Sequence, residues 1–205
     1  MPYVSLQDYV KAARGDGVIA LPTDTVWGLA VNPEHSSILY ELKRRSPEKS
    51  LILLGASAPD LWPYVSDVAM DGDQWQAITD QHWPGQLTLV IPASAQVPLA
   101  MHLTTPDTIG VRVPNHPVAR QILTLTGPLA TTSANLSGQP QLMGVDQVLD
   151  QFPQVYGLEI CALQELVGAS GALASSLPVP SGMPSTVARW QLDHWEILRQ
   201  GTVYL

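Results

Sequence analysis

The chain has 205 residues, of which 45% are hydrophobic, with one cysteine and a formal net charge of −8 at pH 7. That length buries one sizeable core and fits a single domain over residues 1–205, and the lone Cys161 excludes an internal disulfide or a multi-cysteine metal cluster. The acidic total argues against a protein that coats nucleic acid, which rests on Lys and Arg neutralising phosphates, and no window reaches the ~20 apolar residues of a membrane-spanning helix.

Ser5 is placed to cap a first helix, with Asp8 in its first turn, Leu6, Tyr9, Val10 and Ala13 on one face and Gly15 as its stop. The same stretch carries Asp8, Lys11 and Arg14 and no apolar run, so no signal peptide is expected and a reducing cytoplasm fits best. Residues 18–21 form a short, wholly apolar run expected of a strand buried on both faces. A polar loop, Pro22-Thr23-Asp24-Thr25-Val26-Trp27-Gly28-Leu29, follows it. A helix is expected over residues 36–45, with Ile38, Leu39 and Leu42 inward and Pro47 preventing continuation. Further expectations are a strand at 51–54, a helix at 73–82, a strand at 87–91, a strand at 108–113, a helix at 117–125, a strand at 128–132 and a helix at 145–152. Residues 185–190 and 195–198 read as a hairpin turning at Asp193-His194. Residues 168–184, rich in Gly, Ala, Ser and Pro, read as a long loop that is either mobile or lies across the site. The alternation of helix and strand favours an α/β or α+β domain over an all-α or all-β one.

Familiar sites are missing from the sequence. It holds no Gly-x-x-x-x-Gly-Lys-Ser/Thr loop, and Gly15-Asp16-Gly17 precedes its strand, whereas a dinucleotide fingerprint follows one. The five histidines show no pair spacing of a zinc site. Four polar segments remain. Thr23, Asp24 and Thr25 sit after a buried strand, where open α/β sheets hold ligands, although hydroxyls there also cap turns. Lys43, Arg44, Arg45 and Lys49 concentrate positive charge that either clamps a polyanion or forms a solvated helix end. Arg112 interrupts an apolar strand and needs an anion, either a ligand or an internal carboxylate. Thr131, Thr132, Ser133, Asn135 and Ser137 crowd the end of another strand.

Together these segments resemble the YrdC family of threonylcarbamoyl-AMP synthases in its short, single-domain form. The resemblance runs through Pro22 to Leu29, Lys43-Arg44-Arg45 with Lys49-Ser50-Leu51, Trp83-Pro84-Gly85-Gln86-Leu87-Thr88, and Val111-Arg112-Val113-Pro114-Asn115-His116-Pro117. It continues through Ser133-Ala134-Asn135-Leu136-Ser137-Gly138, Pro184-Ser185-Thr186-Val187 and Leu198-Arg199-Gln200-Gly201. It implies a twisted open mixed sheet with flanking helices and a concave basic cavity that holds ATP and L-threonine together. It also implies that Lys43, Arg45, Ser133 and Asn135 are catalytic. Arg45, Lys49, Thr108, Ser133 and Arg199 would face the nucleotide, and Thr25, Arg112, Thr131 and Ser185 would face threonine. Asp24 stands where the family has Glu, Trp27 for Tyr or Phe, and Ser50 for a frequent Pro. Gln141-Leu142 replaces a frequent Ser and Thr, which would remove a nucleotide contact.

The reaction so implied joins threonine, bicarbonate or CO₂ and ATP, with Mg²⁺ arriving on the nucleotide and no resident metal. The product would pass to downstream threonylcarbamoyl-transferase proteins for tRNA modification. Two rivals on the same fold are a double-stranded RNA or tRNA binder without chemistry and a related carbamoyl or adenylyl transferase.

Overall fold

The computed structural model describes residues 3–66, 73–101, 107–169, 180–191 and 194–205. Helix α1 (Leu6–Arg14) starts where Ser5 Oγ accepts the Asp8 amide at 3.2 Å and ends at Gly15. The other helices are α2 (Ser37–Lys43), α3 (Asp73–His82), α4 (Pro117–Thr126), α5 (Val145–Gln151) and α6 (Ile160–Ala169). The strands are β1 (Tyr3–Val4), β2 (Ile19–Leu21), β3 (Gly28–Val31), β4 (Ile52–Leu54), β5 (Leu87–Pro92), β6 (Thr108–Arg112), β7 (Leu129–Ser133), β8 (Gly157–Leu158), β9 (Thr186–Gln191) and β10 (His194–Arg199).

Eight strands form one mixed sheet in the order β10-β9-β5-β6-β4-β7-β3-β2, and β1 pairs with β8 in a separate parallel ribbon. The pairs β4–β6 and β5–β9 are parallel and the remaining neighbours in the large sheet are antiparallel. Strand periodicity sorts the core into two layers. Ile19 and Leu21 of β2 join Tyr9 and Ala13 of α1, Ile122 of α4 and Leu166 of α6 in one cluster. Ala20, between them, joins the other cluster with Leu39 of α2, Ile78 of α3 and Val148 of α5. Helices therefore flank both faces of the sheet, the mixed α/β architecture that the sequence implied.

Three local readings need correction. Helix α2 stops at Lys43 rather than residue 45, because Arg44 turns into the left-handed region at φ 49°. The segment read as loop from 22 to 29 already contains the start of β3, whose Gly28 pairs with Leu21 and Ser133. Gly168 belongs to α6. Of the expected loop 168–184, residues 170–179 lie outside the described residues, as does Asp193 of the hairpin turn.

His116, 4% exposed, begins α4 by accepting the Ala119 amide at Nδ1, 3.4 Å away. Burial pushes its pKa down from 6.5 to about 4, with Asp24 opposing weakly. The folded pKa lies below the unfolded one, so stability is lost as pH falls from 6.5 through 4. That window carries roughly 3 kcal/mol. Urea unfolding at stepped pH is expected to show this fall, and His116→Asn, which keeps an acceptor at the helix start, is expected to remove that increment from it.

Candidate active site

The site is assembled across one face of the central strands by six segments that are far apart in the chain. Between β2 and β3, the Thr23 hydroxyl accepts the Thr25 and Val26 amides, each at 3.2 Å. Thr23 thus performs the turn-forming duty open to any hydroxyl here, which leaves Thr25 and Asp24 to meet Arg112. Arg112, at the end of β6, donates from Nε to Gly85 O at 2.9 Å, from Nη1 to Thr25 Oγ1 at 2.9 Å and from Nη2 to Asp24 Oδ1 at 2.6 Å. Both ionic partners are 6% exposed at their side chains, a buried ion pair. The internal carboxylate considered from the sequence is therefore present. Two of the five guanidinium N–H groups stay uncommitted in this set and are available to a ligand.

Helix α2 turns Leu39, Tyr40 and Lys43 inward. Lys43 is 2% exposed, so the reading of this cationic run as a solvated helix end fails for it. Its ammonium reaches Thr132 Oγ1 at 3.1 Å, Ser133 Oγ at 3.3 Å and the Ser133 carbonyl. Ser133 Oγ donates to Asn135 Oδ1 at 2.6 Å, and Asn135 Nδ2 donates to Gln139 O at 2.5 Å. The left-handed turn at Arg44 sends Arg45 back along its own loop, where Nε reaches Lys49 O at 2.9 Å and Nη2 reaches Ser50 O at 3.0 Å. Across the cleft, Arg199 of β10 holds Ser185 through its carbonyl at 3.0 Å and its hydroxyl at 3.1 Å, and that hydroxyl also meets Thr88 at 2.8 Å.

Thr25, Arg45, Arg112, Thr131, Ser133, Ser185 and Arg199 line one cleft. Lys43 and Asn135 stand behind Ser133. Lys49 is exposed beside the cleft and contributes its carbonyl rather than its ammonium to the Arg45 loop. Thr108 is not brought to the lining: it opens β6, opposite Pro92. Thr131 lines the cleft, but its hydroxyl is given to Ile52 O at 3.0 Å.

Gln141, read from the sequence as a lost contact, is a lining residue whose buried Oε1 has no hydrogen-bond partner. No feature of residue type announced that, since its loop is placed by the Asn135–Gln139 bond. Lining by Val26, Ile52 and Leu54 adds apolar surface. The cleft holds about 130 Å³, short of the ~300–1,000 Å³ of pockets that enclose a drug-sized ligand. It suits a small molecule, with anything larger extending beyond it.

Three guanidinium groups and the hydroxyls around them form a donor-rich surface for anions, with Lys43 buried behind it. No Ser-His or Cys-His pair is hydrogen-bonded at the site among the described residues. Nor does any group of three His, Cys, Asp or Glu converge to hold a metal there. Such a surface serves displacement chemistry that depends on positioning and charge stabilisation.

The family model Sua5/YciO/YrdC, described as telomere recombination, matches residues 11–201. A threonylcarbamoyl-AMP synthase of Yersinia enterocolitica is 38% identical over 168 residues, covering 80% of this chain and 85% of that protein. One of Vibrio cholerae is 39% identical over 151 residues, 72% of this chain and 79% of its own. Among solved structures, P. abyssi Sua5 complexed with L-threonine superposes with a TM-score of 0.78 at 26% identity, over 96% of this chain. The chain spans only 54% of that Sua5. E. coli YciO shares the fold, with a TM-score of 0.74 at 21% identity over 98% of this chain and 93% of YciO. With the family model and these relatives each spanning most of its length, the chain belongs to the Sua5/YciO/YrdC family.

Proposed function

We propose that this protein is a threonylcarbamoyl-AMP synthase. It condenses L-threonine, bicarbonate or CO₂, and ATP into threonylcarbamoyl-adenylate and pyrophosphate, the activated intermediate for N6-threonylcarbamoyladenosine in tRNA. One observation carries the reading: cations and hydroxyls from six distant segments converge on one cleft, with no Ser-His or Cys-His pair hydrogen-bonded there among the described residues. This suits a reaction in which a carbamate oxygen displaces pyrophosphate directly from the α-phosphate, without a covalent enzyme intermediate.

The two uncommitted N–H groups of Arg112 would hold the threonine carboxylate, with Thr25 and Ser185 beside it. Arg45 and Arg199, two lining cations close enough to act on one another, would offset charge on the triphosphate, and Ser133, fixed by Asn135, would orient it. Mg²⁺ does not fit a cage of protein ligands here, since Asp24 is committed to Arg112. It would come bound to phosphate oxygens. The product would be handed to transferase proteins acting on tRNA in the cytoplasm; no helix of the described residues is long and apolar enough to cross a membrane.

The test is threonine- and bicarbonate-dependent pyrophosphate release from ATP by the purified protein. Arg45→Ala is expected to lower it on the order of 10²-fold, as loss of an oriented charge donor does. Arg112→Met is expected to raise the threonine KM with a smaller change in kcat. Absence of threonine dependence, or equal turnover with serine or carbamoyl phosphate, would overturn the assignment.

A further inference from the structure

Lys43 has surroundings unlike those of the other cations of the site. Its ammonium is sealed from solvent and meets only neutral oxygens, those of Thr132 and Ser133. No carboxylate is paired with it among the described residues. The charged groups that act on it are Arg45 and Lys49, from the loop after its own helix, and both oppose its charge. The elements packed against its tip, β7 and the turn after it, present Thr132, Ser133 and Asn135, all uncharged. Lys43 does not line the cleft, but Ser133, 3.3 Å from Nζ, does. Thr132, whose hydroxyl is 3.1 Å from Nζ, lines it too, but of the two hydroxyls only that of Ser133 is also bonded to Asn135, at 2.6 Å, and so has a second acceptor between which its proton can turn.

We propose that Lys43 is the proton acceptor for the α-ammonium of the amino acid substrate, acting through the Ser133 hydroxyl. This rests on the synthase reading given above. The α-amine must lose a proton before its lone pair can attack carbon. That proton passes to Ser133 Oγ while the hydroxyl proton turns from Asn135 Oδ1 to the Nζ lone pair. The substrate ammonium becomes an amine, Lys43 becomes an ammonium, and serine is unchanged. The free amine and bicarbonate then give the carbamate and water, with no further proton to place. Burial first, then the charges of Arg45 and Lys49, bring the Lys43 pKa down from 10.5 to about 7, so a neutral amine is populated at neutral pH. Once charged, the ammonium donates its three protons to Thr132 Oγ1, Ser133 O and Ser133 Oγ, behind the cleft wall.

Lys43 acts through another group and is in that sense a positioning residue for Ser133, so the test needs a readout that structure alone would not move. Pyrophosphate release is measured against pH for the wild type, Lys43→Met and Lys43→Ala, the last with added methylamine or ethylamine. Folding of each variant is checked by retained threonine binding in calorimetry. The wild type is expected to lose activity tenfold per pH unit below about 7, as the acceptor is protonated. Both variants are expected to fall by on the order of 10²–10⁴-fold. In Lys43→Ala the amines are expected to restore turnover in proportion to their unprotonated fraction, rising with pH.

Three results would overturn the proposal: Lys43→Met within tenfold of wild type, rescue that follows the protonated amine, or no rescue by any amine. Each leaves the synthase reading intact provided the wild type is active. A wild type without threonine-dependent release sinks the synthase reading itself.

Discussion

Asp24→Ala is expected to destabilise the protein by about 3–5 kcal/mol in urea unfolding at pH 7. Asp24 and Arg112 are each 6% exposed at the side chain and their ionic contact is 2.6 Å. Removing the acid leaves a guanidinium that is always charged, nearly buried, and bonded within the protein only to a hydroxyl and a carbonyl. The cost lies in the uncompensated charge more than in the value of the pair, so removing both partners is expected to cost less than removing one. A urea series on Asp24→Ala, Arg112→Met and the double variant measures this. If the double variant is no more stable than Asp24→Ala, the pair is not coupled in the way its geometry requires. Asp24→Ala is also expected to weaken threonine binding in calorimetry, because Arg112 loses the contact that aims its fork. Asp24 Oδ2 is itself buried without a hydrogen-bond partner, so part of the wild-type pair is already imperfect.

The second large effect is expected at Gly85. A Cβ there would lie 2.2 Å from the His82 carbonyl oxygen, well inside contact distance and against backbone that has no rotamer to yield. Gly85 also accepts Arg112 Nε at 2.9 Å and donates to Val113 O at 2.9 Å. Gly85→Ala must therefore displace the loop that holds Arg112 from behind. Overpacking of this kind costs about 1–3 kcal/mol. A displacement of about 1 Å at a positioning group costs on the order of 10²-fold in rate, so kcat/KM for threonine is expected to fall by that order. Gly144→Ala is the control: no atom lies within 4 Å of its added Cβ. As the N-cap of α5 it is expected to lose no more than about 1 kcal/mol, with unchanged pyrophosphate release. Equal effects at the two glycines would show that the close approach at Gly85 is relieved cheaply.

Much of the fold was legible in the sequence where local physics decides. Helix α1 was marked by Ser5, Asp8 and Gly15, and α3 was bounded at residues 73 and 82 as found. Strand β3 escaped because Gly28–Val31 follows directly on a motif whose hydroxyls read as loop. Helix α6 and the β1–β8 ribbon escaped too. Ribbon strands of two residues carry no periodicity to detect.

At the candidate site, residue types and their order pointed to an anion-binding cleft, and the resemblance named the substrates. Residue spacing by itself determined which side chains share a helix face or strand end, because those periods of 3.6 and 2 are properties of the local chain. Only the tertiary structure decided that Asp24, 88 positions from Arg112, is its counter-charge, that Lys43 is buried while Lys49 is exposed, and that Thr108 stays outside the cleft. Those outcomes follow from the strand order β6-β4-β7-β3, which is selected by the packing of whole layers against one another and has no local signature in the chain.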